Sequence, residues 1–255
     1  MTDTIKGFNT KAIHAGSSPD PATGARATPI YQTASYVFEN TDHASDLFAG
    51  KAFGNIYTRI MNPTQDVLEK RMAELEGGTA SLAVASGHAA QFIALHPLLS
   101  PGNEFVASNK LYGGSINQFN HSFKKFDWKV RWANANDIDS YKKSVNDKTR
   151  AIFVESIANP GGIITDIEPI ARVAEDAGIP LIVDNTMATP VLCKPFNHGA
   201  NIIIHSLTKF LGGQGNSVGG VIVDGGNFDW SKNDKFPDLS QPHPSYHGYK
   251  FHETF

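Results

Sequence analysis

The sequence predicts an α/β domain built on a mostly parallel sheet with helices on both faces. Short apolar runs alternate with helix-sized connections from about residue 81 onward. Two of those runs, LIVD (181–184) and NIII (201–204), are almost continuously apolar, as a strand covered on both faces requires. Polar or glycine-rich segments follow several of the runs, where strand-to-helix connections belong.

Taken in order, residues 1–60 are rich in Thr, Ser, Gly, Pro and Asn and show little periodicity outside DHASDLFAG, so they are expected to form an extended N-terminal arm. Residues 61–255 are expected to form the main domain. It opens with PTQDVLEKRMAELEGG (63–78), where Val67, Leu68, Met72 and Leu75 recur at helical spacing, proline stands in the first turn and Gly77-Gly78 end the helix. Strands are then expected at SLAVAS (81–86), EFVAS (104–108), KVRWA (129–133), AIFVES (151–156), LIVD, NIIIHS (201–206) and VGGVIVDGG (218–226). Between them, GHAAQFIALHPLL, GGSINQFNHSF, DIDSYKKSV and DIEPIARVAEDAG read as helical connections. The segment FPDLSQPHPSYHG (236–248) carries three prolines and reads as a loop. The chain stops at HETF, and no C-terminal capping element is apparent.

Composition narrows the function. With 22 Lys and Arg against 25 Asp and Glu, the formal charge is -3, and no basic block favours nucleic acid or an anionic membrane. The single Cys193 gives neither an internal disulfide framework nor a C-x-x-C spacing, and is expected to be an apolar filler in a reducing compartment. No signal-peptide core opens the chain, and no apolar stretch approaches the ~18 residues of a membrane span. A cytoplasmic protein is expected. His243 and His247 are four apart, but Pro244 between them opposes the helix that would aim both at one metal ion, and none is expected.

Chemistry collects at the strand ends. In an open parallel sheet, ligands bind beyond the carboxyl ends of the strands, where loops and helix N-termini converge. Ser86-Gly87-His88, Glu155 to Asn159, Asp184-Asn185-Thr186 and Ser206-Leu207-Thr208-Lys209 all fall at such ends. Asp184 reads equally as a turn cap or as a carboxylate for a cationic ligand nitrogen. Lys209, among hydroxyls and just before Gly212-Gly213, reads as an ordinary solvated side chain or as a desolvated amine able to form an imine with a carbonyl. It is not a Walker lysine, which follows its glycines instead of preceding them. A phosphate cradle suits ASGHAA better, where Ser86 and Gly87 open a helix. An amine for a carbonyl, a carboxylate for a ring nitrogen and a helix N-terminus for a phosphate together describe pyridoxal 5'-phosphate (PLP).

At these residues the sequence resembles the Cys/Met-metabolism PLP-dependent enzymes, the cystathionine γ-synthase/γ-lyase-like family of fold type I. YTRIMNPT (57–64), ASGHAA (85–90), LYGG (111–114), ESIANPGG (155–162), IVDNT (182–186) and SLTKFLGG (206–213) match its motifs in order across essentially the whole chain. SGHAAQ, ESIANPGGIITDIEPIA and HPSYHGYKFHETF look most like the O-acetylhomoserine sulfhydrylase branch. The resemblance implies a PLP-binding large domain, with the family's C-terminal small domain lacking from this length. It implies that PLP is covalent on Lys209, that Asp184 holds the pyridinium nitrogen protonated, and that Tyr112 stacks on the ring and assists proton transfer. Asn159 would bond the phenolic oxygen, and Thr186 would position the ring. Ser86, Gly87, His88, Ser206 and Thr208 would hold the phosphate, His88 standing where many members carry methionine. Tyr57 and Arg59 would reach the phosphate of a neighbouring subunit in a dimer within a tetramer.

The activity implied is γ-replacement on O-acetyl-L-homoserine by sulfide or a thiol such as methanethiol. The products would be homocysteine or methionine, plus acetate. The alternatives are a methionine or cystathionine γ-lyase, or a shortened PLP-binding chain with little turnover.

Overall fold

The computed structural model describes residues 7–254. The chain divides into two compact units, Met1–Leu75 and Glu76–Phe255. In the first, helix α1 spans Phe8–His14, α2 Thr41–Phe48 and α3 Pro63–Glu76, whose last residue opens the second unit. The predicted arm is therefore less irregular than its sequence suggests, although its first six residues lie outside the described ones. Helix α2 falls on DHASDLFAG, and the Asn40 side chain caps it by accepting the His43 N–H at 2.8 Å. Helix α1 has no apolar periodicity because it buries no residue. Tertiary bonds hold it instead: Lys11 pairs with Glu74 at 2.9 Å, and Arg71 Nε donates to the Ala15 carbonyl at 3.0 Å. Tyr57 and Arg59 are exposed in this unit.

The second unit holds seven strands, β1 (Ala80–Val84), β2 (Glu104–Ser108), β3 (Lys129–Ala133), β4 (Thr149–Glu155), β5 (Leu181–Asp184), β6 (Ile202–Ser206) and β7 (Gly220–Asp224). They form one sheet in the order β1-β7-β6-β5-β4-β2-β3. Strands β2 to β6 pair in parallel, and β7 runs antiparallel to both β6 and β1. The reversal at β7 has a local cause. A parallel return needs a crossover, usually a helix, whereas residues 207–219 between β6 and β7 form only turns and coil.

Helices α4 (Gly87–Leu95), α5 (Gly113–Asn117), α6 (Ile138–Ser144) and α7 (Ile167–Asp176) fill the connections. Helix α7 buries Ile167, Ile170, Val173 and Ala174, a stripe at helical spacing, and leaves its charged residues outside. The central strands are apolar on both faces: Ala151 to Val154 and Leu181 to Val183 are fully buried. An aromatic cluster packs beside them, with Phe105 and Phe119 edge to face at 4.9 Å and Phe119 and Phe153 at 5.1 Å. The predicted loop 236–248 contains two single helical turns, Pro237–Ser240 and Pro244–Tyr246. Among the described residues, no helix is long and apolar enough to cross a membrane.

Candidate active site

The last residues of β4, β5 and β6 are Glu155, Asp184 and Ser206, and they open onto one cavity of about 450 Å³. Helix α4 enters from β1 with Ser86 as its N-cap, the hydroxyl accepting the Ala89 N–H at 3.1 Å. The Ala90 N–H bonds the Ser86 carbonyl. By helix geometry this leaves the Gly87 and His88 N–H groups directed outward at the positive end of the helix. Gly87 must lack a side chain here, because a Cβ would lie 2.8 Å from the Ser206 Cβ. Glycine thus lets the helix start press against the end of β6.

Asp184 is half-buried at the cavity floor. Its Oδ1 accepts the Thr186 N–H at 3.0 Å and the Thr186 hydroxyl. That hydroxyl in turn accepts the Ser206 N–H at 2.8 Å, so one threonine ties the ends of β5 and β6 together. Burial pushes the Asp184 carboxyl above its ordinary range, and the bonds from Thr186 only partly oppose this. Glu155 pairs with Asp184 in strand register and is 5% exposed. Burial, reinforced by the nearby Asp184 charge, raises the Glu155 carboxyl to about 7. Two backbone donors work against that rise: the Tyr112 N–H reaches Glu155 Oε1 at 2.6 Å, and the Asn159 N–H reaches Oε2 at 3.0 Å.

Lys209 follows β6 in a turn closed by its own N–H on the Ser206 carbonyl. Gly212 and Gly213 continue the turn, their N–H groups on the carbonyls of Leu207 and Lys209 at 2.9 Å. A Cβ on Gly212 would meet the Leu207 oxygen at 2.5 Å, and Gly213 has φ +68°. The Thr208 hydroxyl accepts the Gly219 N–H at 3.2 Å, which closes the base of the loop. Lys209 lines the cavity but is exposed, in contrast to the desolvated amine considered from sequence. Tyr112 also lines the cavity, 47% exposed, its ring 6.0 Å from that of His88.

Ten of the expected residues, Ser86, Gly87, His88, Tyr112, Asn159, Asp184, Thr186, Ser206, Thr208 and Lys209, line this one cavity. Tyr57 and Arg59 belong to the first unit. The profile of the Cys/Met metabolism PLP-dependent enzyme family matches residues 9–245. The chain belongs to that family.

Other members of the Cys/Met metabolism family are close in sequence and in fold. The chain is 53% identical over 246 residues to the O-acetyl-L-homoserine sulfhydrylase of Leptospira meyeri, covering 96% of this chain and 55% of the relative. It is 49% identical over 250 residues to O-acetyl-L-homoserine sulfhydrylase 1 of Thermus thermophilus, covering 97% and 59%. A solved structure described as an O-acetylhomoserine (thiol)-lyase of Campylobacter jejuni superposes with TM-score 0.94 at 41% identity, covering 97% of this chain and 61% of that one. That protein carries N'-pyridoxyl-lysine-5'-monophosphate. The chain thus spans between 55% and 61% of the length of these relatives.

Two polar residues lining the cavity of this family member, Gln91 and Glu155, carry no role assigned from the sequence. Gln91 is 3% exposed and donates to the Ser115 hydroxyl at 2.7 Å. Glu155 ends the apolar run AIFVE as Asp184 ends LIVD, and that repeated pattern is the signal that could have found it. On the opposite face of the sheet, His205 Nε2 lies 2.6 Å from Glu76 Oε1, both side chains fully buried. Asn185 Nδ2 donates to the same oxygen at 2.9 Å.

Proposed function

We propose that this chain binds PLP covalently through Lys209, as part of an enzyme that replaces the acetoxy group of O-acetyl-L-homoserine with sulfide or a thiol. The products are homocysteine or methionine, plus acetate. The observation that carries the reading is the convergence of Asp184, Lys209 and the N-terminus of α4 on one cavity, in a chain about half identical to named O-acetyl-L-homoserine sulfhydrylases.

The residues suit the cofactor. A carboxylate at the cavity floor matches a protonated ring nitrogen, and a cation there compensates the burial that otherwise disfavours its charge. The outward N–H groups of Gly87 and His88, with the Ser206 and Thr208 hydroxyls, match a phosphate. When bound, the cofactor supplies an electron sink for carbanion character at the substrate's α-carbon.

The protein's part is placement and proton movement. Thr186 fixes the orientation of the Asp184 carboxylate, which would keep the ring nitrogen of a bound cofactor protonated. Tyr112 would cover one face of the bound ring, and Asn159 would bond its phenolic oxygen. Lys209 Nζ takes the proton from the α-carbon, and Tyr112 Oη with Lys209 Nζ moves the protons that accompany loss of acetate from the γ-carbon. Sulfide or thiol then adds at that carbon in place of acetate, and Lys209 Nζ returns a proton to the α-carbon. Tyr57 and Arg59 serve the phosphate site of a second copy, within a dimer of dimers in the cytoplasm.

Borohydride reduction of the PLP-loaded full-length protein, followed by peptide mass analysis, tests the assignment. Reduced cofactor is expected on Lys209, and Lys209→Ala is expected to abolish turnover. A reduced adduct on another lysine, with full turnover in Lys209→Ala, overturns it. Acetate release in the presence of sulfide, measured against ketoacid formation from methionine, distinguishes replacement from lyase activity.

A further inference from the structure

The connections after β2 and β4 diverge. From β2 the chain proceeds to β3 at one edge of the sheet, and from β4 it proceeds to β5 on the other side. Strands β2 and β4 are themselves neighbours, so the sheet's topological switch point lies between their carboxyl ends. The segment after β2 presents Tyr112 to the cavity, and the segment after β4 presents Asn159. Both side chains are exposed. Their backbones meet at a single group, the Glu155 carboxylate, one oxygen on each N–H.

We propose that Glu155 is a positioning residue of this site, clamping the Tyr112 and Asn159 segments to the end of β4 through one carboxylate oxygen each. The inference rests on the reading above only for what Tyr112 and Asn159 do; the clamp itself is a property of the protein without cofactor. Glu155 is suited to it on three counts. It is rooted in a buried strand, with Ala151 to Val154 fully buried before it. Its own carbonyl is engaged by the Thr165 hydroxyl at 2.6 Å, which steadies the backbone that carries the carboxylate. Its two acceptors match two donors from segments that no strand pairing joins. Gly114 completes the arrangement: a Cβ there would lie 2.4 Å from Tyr112 Cε1 and 2.8 Å from the His88 ring, so glycine lets the Tyr112 ring fold back over its own segment. Of the ionisable groups around Glu155, Asp184 stands on the neighbouring strand and Tyr112 on the clamped segment. His88 and Lys209 line the same cavity.

The test uses Glu155→Gln and Glu155→Ala in the full-length protein. Glutamine keeps the volume but offers one acceptor and one donor, so it can hold one segment and must repel the other N–H; alanine holds neither. Amide hydrogen exchange at pH 8, where the Glu155 carboxyl is ionised, localised by fragmentation in the cofactor-free protein, is expected to rise at Tyr112 or Asn159 by roughly tenfold or more in Gln and at both in Ala, as loss of a charge-assisted hydrogen bond implies. Core amides such as Val154 and Val183 are expected to keep their protection. If Glu155→Ala does not fold, Glu155→Gln, which preserves shape, decides alone. Unchanged exchange at both positions overturns the proposal. So does a rise spread equally over β4 and β5, which marks general destabilisation.

In the PLP-loaded protein, Glu155→Gln is expected to lower kcat for O-acetylhomoserine about tenfold, with Lys209 still trapped by borohydride. If wild-type Lys209 is not trapped, the cofactor reading falls while the exchange result still judges the clamp.

Discussion

Replacing Glu155 by glutamine should change how the stability of the cofactor-free protein depends on pH. In the unfolded chain this carboxyl titrates at its ordinary 4.5, and in the folded protein burial and the Asp184 charge raise it to about 7. The folded state therefore binds the proton more tightly. Stability from this group is fully present below pH 4.5, is lost as pH rises through about 7, and does not change further above it. That interval corresponds to about 3 kcal/mol, at about 1.4 kcal/mol for each tenfold change in proton affinity. Glutamine removes the titration but keeps the volume. Its lost hydrogen bond adds an offset that is constant with pH, so only the pH-dependent part of the difference reports the carboxyl.

Urea unfolding of both proteins from pH 5 to pH 8 measures that part. The stability difference should move by about 2–3 kcal/mol in favour of the variant as pH rises. Parallel curves for the two proteins would refute the argument that burial beside Asp184 controls this group.

Asp184→Asn removes the carboxylate offered to the ring nitrogen and should weaken PLP retention by roughly 30-fold or more, about 2 kcal/mol, read by reconstitution titration of the cofactor-free protein. Glu76→Ala leaves His205 and Asn185 buried without their shared acceptor and should cost about 3–5 kcal/mol of stability in urea unfolding, with Glu76→Gln milder. Gly114→Ala should displace the exposed Tyr112 ring, lowering kcat by about tenfold while the unfolding midpoint moves little, since only side chains at the cavity rim need shift.

The sequence made the sheet legible because its central strands carry unbroken apolar runs. Asp184 and Lys209 stood out only in company: each alone reads equally well as a turn cap or a solvated charge. Helix α1 was not legible, since a helix held by an ion pair and a carbonyl leaves no periodic stripe. The antiparallel turn of β7 was hidden for a related reason, because apolar runs do not record strand direction. Glu155 was visible as a residue but not as a clamp, because its partners are backbone N–H groups, one of them 43 positions away. Backbone donors have no letter in a sequence. The exposure of Lys209 was likewise undetermined, depending on what the turn after β6 does in space.

The buried pair of Glu76 and His205 bears on how this protein can be dissected. Glu76 is the last residue of α3, and a designer cutting by secondary structure would leave it with the first unit. Its carboxylate belongs to the second, where it engages the residues adjacent to Asp184 and Ser206 on the reverse of the sheet. An expression boundary drawn one residue late would remove the acceptor beneath two strand ends of the cavity. Domain swaps among relatives should accordingly exchange Glu76, Asn185 and His205 as a set.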